Sequence, residues 1–155
     1  MSLATVNIPK YATVINGGVA KLGDGSITVG ATALGVDGSA ANAVACYTAG
    51  TYGGIVNCLM ANSNDASLAA NVLVYILDGS TVLPLGLVNV PLSSGNVAGA
   101  ANVDIINGLI GLPVDSMNKK YILLKANQSL KVAVLAAMTA QKILWVRAAG
   151  VDFIA

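Results

Sequence analysis

Signals for chain reversal recur roughly every eight to fifteen residues from Lys21 onward, and the apolar runs between them are too short for anything but strands. Three of these signals are Asp-Gly pairs, at Asp24-Gly25, Asp37-Gly38 and Asp78-Gly79. In each, a short acid that can bond its own backbone precedes the residue that accepts positive φ without strain. Such positions absorb much of the acid in the chain: all seven acids are aspartate, and glutamate is absent. Without glutamate, and with 17 glycines, long surface helices lack their usual building material. The pattern predicts an all-β fold of about eight strands, near residues 26–29, 43–47, 55–61, 71–77, 81–90, 121–125, 130–136 and 143–148. The clearest local signal is a hairpin, in which Asp78-Gly79 joins the runs 72–77 and 80–83. Residues 93–111 begin as a loop, and 103–109 suits either one short helix or a strand.

A chain of 155 residues builds one domain with a real core, and neither a linker nor an internal repeat divides it. The expected organisation is an extended N-terminal arm over residues 1–18 and a single antiparallel β-sandwich over 19–155. Pro9 restricts the residue before it to extended geometry, and Gly17-Gly18 close the arm. Only 10% of residues are charged while 55% are hydrophobic. Spread over the roughly 7,200 Å² that size scaling gives a monomer, so few charges are thin cover. The runs 71–77 and 143–146 are apolar at nearly every position, which predicts burial on both faces. A two-layer sandwich hides one face only, so the composition points to an oligomer. A net charge of +1 argues against nucleic acid or an anionic membrane as partner. No apolar stretch reaches the length of a membrane span, and the opening MSLATVNIPKYATV lacks the charged-then-apolar order of a secretory leader, which predicts an intracellular product.

Candidates for chemistry are few because histidine is absent, removing the commonest neutral-pH proton carrier and metal ligand. Ser116 and Lys119 have the spacing of a serine nucleophile and its lysine, but PVDSMNKK reads as a polar turn. Gly23-Asp24-Gly25-Ser26 lacks the lysine and helix of a phosphate loop. Two cysteines without histidine do not complete a zinc site, so no metal and no cofactor is expected. Trp145, inside an apolar run, is expected in the core rather than on a sugar-binding platform. Asn127-Gln128-Ser129 is a formal glycosylation sequon that an intracellular product does not use.

Cys46 and Cys58 flank the turn AGTYGG. If a hairpin centres on Tyr52, the two thiols face each other at a separation a disulfide spans; otherwise they are small buried hydrophobes, as a chain made in a reducing compartment favours. Six of the eight basic residues, Lys119, Lys120, Lys125, Lys131, Lys142 and Arg147, fall in the last quarter, against one acid, Asp152. They either dock on an acidic surface or guard strand edges.

The order of segments from Val44 onward resembles a known family. The Tyr47-Thr-Ala-Gly50 turn, the strand ending at Asp78-Gly79 and the run Leu83-Pro-Leu-Gly-Leu-Val-Asn-Val-Pro91 carry the likeness. So does the closing pattern from Leu112-Pro113 through Tyr121-Ile-Leu-Leu, Ser129-Leu-Lys-Val132 and Thr139-Ala140 to Gly150-Val-Asp-Phe153. In these the chain is similar to the capsid decoration, or cement, proteins of tailed bacteriophages, except that Gly150-Val151 replaces a paired glycine. The resemblance implies a jelly-roll-like fold and a homotrimer made in the host bacterial cytoplasm and seated on the virion, where it clamps major capsid protein subunits. It implies no enzyme activity. Contacts to capsid or neighbouring subunits are expected at Asn7, Ile8, Pro9 and Lys10 of the arm and at Lys119 and Lys120. A tail or fibre module recognising host glycans is the alternative, and predicts an exposed aromatic or acidic pocket in loops such as 48–54.

Overall fold

The computed structural model describes residues 12–23, 43–96, 100–136 and 138–154. Among them lie β1 (Ala12–Leu22), β2 (Val44–Thr48), β3 (Gly54–Ser63), β4 (Ala70–Asp78), β5 (Thr81–Val90), β6 (Val103–Asp104), the single helical turn α1 (Ile105–Gly108), β7 (Ile122–Leu124), β8 (Ser129–Val134) and β9 (Leu144–Ile154). All pairings are antiparallel, and one set is nested: β4 with β5, outside it β3 with β6 and β7, then β2 with β8, then β1 with β9; rolling the nested set up adds β3 with β9 and β4 with β8. Rolled up, this long nested hairpin gives two sheets, β1-β9-β3 with β6 and β7 along the far edge of β3, and β2-β8-β4-β5. That strand order is a jelly roll, as the resemblance implied.

Alternation packs the space between the sheets. Leu22, Val56, Leu59, Val72, Val74, Leu130, Val132, Leu144 and Val146 are fully buried, and Ile105, Ile106 and Leu109 of the α1 segment close the core. The doubly apolar reading of 71–77 holds for β4: Val72 and Val74 face the core, while Tyr75, 1% exposed, is buried on the other side with Ala133, Leu73 and Val82.

Two polar clusters tie the loops to this core. The Asp65 carboxylate, fully buried, accepts from the amides of Ser67 and Leu68 at 2.8 and 3.0 Å and of Thr139 at 2.9 Å. Ser93 N also donates to the Asp65 carbonyl, so one residue joins three loops. At the other end, Asp152 accepts from Tyr47 Oη and Asn16 Nδ2, both at 2.7 Å, and Asn16 Nδ2 also reaches the Thr48 carbonyl, fastening the corner where the sheets meet. Burial first, and the bond to the Asp152 carboxylate second, push the Tyr47 phenol up.

Several sequence expectations are adjusted. The strand expected at 26–29 lies outside the described residues. The arm boundary at residue 18 falls inside β1. Gly17 and Gly18 are not punctuation there: a Cβ at Gly17 would meet the Ala148 carbonyl oxygen at 2.8 Å, and one at Gly18 the Cys46 oxygen at 2.6 Å. They are glycines because the backbones approach so closely. The β4–β5 hairpin forms, but Asp78 pairs with Thr81, and Gly79-Ser80 is the two-residue loop with Gly79 at φ +58. Segment 103–109 is both strand and helix: β6 runs into α1, whose N-cap is Asp104, accepting from Asn107 N.

Candidate interaction surface

The outer face of the larger sheet is built by register. Ile15 of β1 lies opposite Val151 of β9, Val151 opposite Ile55 of β3, and Ile55 opposite Leu123 of β7. The result is a four-strand row of β-branched and aliphatic side chains pointing away from the core, with Ile15 87% and Leu123 56% exposed. Met117, also exposed, stands beside its β7 end, where a groove is lined by Ile55, Val151, Met117, Tyr121, Lys119 and Asp115. Exposed apolar rows on a sheet surface are a common feature of protein contact sites.

At the opposite end of the same face, Trp145 and Arg147 of β9, Val19 of β1 and Met60 and Asn62 of β3 line a second hollow of about 420 Å³. Gly95, Asn96 and Asn102, from the β5–β6 connection, complete it. Trp145 is therefore not a core residue, contrary to expectation. In β9 the core positions are Leu144, Val146 and Ala148, and strict alternation sends the indole, half-buried, to the outer face.

Asn7, Ile8, Pro9 and Lys10 lie outside the described residues. Lys119 is exposed on a turn held by Asp115 Oδ1, which accepts from Met117 N and Lys119 N at 2.8 and 2.9 Å. Ser116, three residues before Lys119, is exposed on the same turn. Lys120 has an internal task that sequence reasoning missed: Nζ donates to the carbonyls of Asn107 and Leu109 at 2.9 and 2.6 Å, capping the end of α1. The basic residues of the last quarter form no single patch. Lys131 lies on β8 and Arg147 on β9, interior strands of different sheets, so neither guards an edge. The smaller sheet protects its β5 edge with Pro84 and a register shift instead.

The hairpin that would set Cys46 opposite Cys58 does not form, because the turn between them crosses from one sheet to the other: β2 pairs with β8 and β3 with β9. Both thiols are free. A register shift between Val56 and Cys58 leaves Cys58 half-buried, outside the inward series Val56, Leu59 and Ala61. Burial pushes the Cys46 thiol up to about 12, and Sγ donates to the Leu130 carbonyl at 3.4 Å. A thiolate reagent at pH 8 should accordingly modify two cysteines in denaturant while leaving Cys46 untouched in the folded chain, a difference that peptide mass mapping reads directly.

Among the described residues no group of three or more His, Cys, Asp or Glu is placed to hold a metal ion, and no helix is long and apolar enough to cross a membrane. Comparison with protein-family models gives no match, and comparison with curated proteins gives none either. Among solved structures, a chain described as "Cyanophage Pam1 capsid asymmetric unit" is similar at TM-score 0.45 and 14% identity, over 100% of this chain and 94% of that one. A likeness of that degree carries no functional inference.

Proposed function

We propose that this chain is a structural virion protein, a cement protein that decorates a bacteriophage capsid as a homotrimer and binds across neighbouring major capsid subunits. The observation that carries the reading is the apolar row Ile15–Val151–Ile55–Leu123, an outward face that none of the described residues covers. The jelly-roll strand order and the resemblance of the segments from Val44 onward support it. Cement of this kind works by mass action: a protein that binds only the assembled lattice stabilises it by its binding free energy at every site.

The test is binding to purified heads lacking this protein, together with solution mass. Saturable binding of a trimer is expected, and a monomer that leaves such heads untouched overturns the reading. Ile15→Lys with Leu123→Lys should weaken head binding about 100-fold, since each places a charge in a desolvated contact worth more than about 1 kcal/mol. Both side chains are solvent-exposed, so the folded chain should lose no more than about 0.5 kcal/mol in urea unfolding.

A further inference from the structure

We infer that the hollow around Trp145 is a binding site for an acidic saccharide, a property that does not rest on the cement reading. Register alone assembles it: Trp145 lies opposite Asn62, and Arg147 between Val19 and Met60. The chain then returns over its rim at Gly95, Asn96 and Asn102. Gly95 fixes that return, since it sits at φ +69 and a Cβ there would fall on Asn102 Oδ1 and against Asn62 Cβ. The side chains of Asn62, Asn96, Asn102 and Arg147 have no hydrogen-bond partner among the described residues, so three amides and a guanidinium line the hollow beside the indole and are available to a ligand.

Each component selects for the same ligand. An indole face takes the C–H face of a pyranose ring, as a flat apolar surface with a polar edge. Paired amide donors and acceptors suit vicinal hydroxyls. Arg147, with no acid lining the hollow among the described residues, suits a carboxylate bidentately. A purely apolar ligand would strand the amides, and a neutral sugar would leave the guanidinium unmatched. The hollow holds about 420 Å³, within the usual range for small-ligand sites. Along β9 it stands four residues, about 13 Å, from the apolar row at Val151, so occupation of one does not require the other.

Trp145 is the one tryptophan in the chain, so its emission reports on this site alone. The full chain is titrated with trigalacturonate, with its methyl ester as the uncharged counterpart, and with sodium sulfate at matched ionic strength. Trigalacturonate is expected to change the emission saturably, the ester to bind about 10-fold more weakly, and sulfate to give no change. Arg147→Met, which keeps the apolar stem and the reporter, should abolish the preference for the acid over the ester. Asn102→Ala should weaken both sugars about 5-fold. Matching circular dichroism and melting curves establish that both variants fold. No saturable change with either sugar up to about 10 mM, an equal response to sulfate, or a preference that survives Arg147→Met overturns the proposal.

Discussion

Asp65→Ala is expected to unfold in urea with about 4 kcal/mol less stability than the native chain, because three partly buried amides lose their acceptor at once and each unpaired donor costs about 1–3 kcal/mol. The donors are Ser67 N, Leu68 N and Thr139 N, on two loops; the second is also tied to the β3 end by Ile143 N donating to Asn64 Oδ1 at 2.7 Å. Asp65→Asn keeps one acceptor oxygen and should lose about half as much. The same carboxylate gives the fold a pH dependence of definite sign. Burial alone would raise its pKa, but the Thr139 side chain and the amides of Ser67, Thr139 and Leu68 overcome that and hold it below the ordinary carboxylate value. The folded state therefore favours the ionised form. Its contribution is complete above the unfolded value near 3.9 and is lost as the pH falls through the lower folded value. Stability measured from pH 6 down to pH 3 should fall in the native chain and fall less steeply in Asp65→Asn. Parallel curves would remove Asp65 as the source.

Gly150→Ala should be nearly as damaging, at about 3 kcal/mol or loss of folded protein, although a single methyl group is added. Gly150 sits in β9, between β1 and β3, opposite Asn16 on one side and Val56 on the other. A Cβ there would fall on the Ile55 carbonyl oxygen, with Ile55 C and Val56 Cα each 2.9 Å away, all backbone atoms of a central strand with nowhere to move. The register shift between Val56 and Cys58 lies immediately beside this contact, so relief would disturb the pairing of β3 as well. Ala at Gly111, where nothing lies within 4 Å, isolates the cost of positive φ, because φ there is +79. That control should lose about 1 kcal/mol in the same urea experiment. A loss at Gly150 no greater than at Gly111 would mean that the strands can separate locally.

The fold class was legible because turn chemistry is local. Gly79 with a short acid before it, and apolar residues on either side, suffice to define the β4–β5 hairpin, whose partners are adjacent in sequence. The turn at Tyr52 carries similar residues yet joins two different sheets, because whether a reversal stays in plane depends on what each strand finds to pair with. For that reason Cys46 and Cys58 do not face each other, and the alternative of two unpaired thiols holds. Trp145 was misplaced for another. In a run such as Ile143-Leu-Trp-Val, hydropathy is high at every position, so composition does not say which phase of the alternation faces the core. The apolar row has no sequence signature at all, since Ile15, Ile55, Leu123 and Val151 become neighbours only through the register of four strands. Lys120 illustrates the reverse case: a residue in an exposed-looking basic pair whose ammonium is taken up by the carbonyls ending α1.

The place of β9 in the larger sheet has a consequence for how the chain folds. β9 bridges β1 and β3, and its pairing with β1 joins Ala12 to Ile154. While the smaller sheet can nucleate on the local β4–β5 hairpin, β1 and β3 have no shared partner until residues 144–154 have left the ribosome. The larger sheet therefore forms only once β9 has been made, through loop closures reaching from Ala12 to Ile154, the class of contact associated with slow folding. During that interval the strand edges and the Ile15 and Ile55 side chains stand open to other nascent copies. Low temperature and slow expression should thus raise the yield of folded protein more than they do for a sandwich whose central strand is made early.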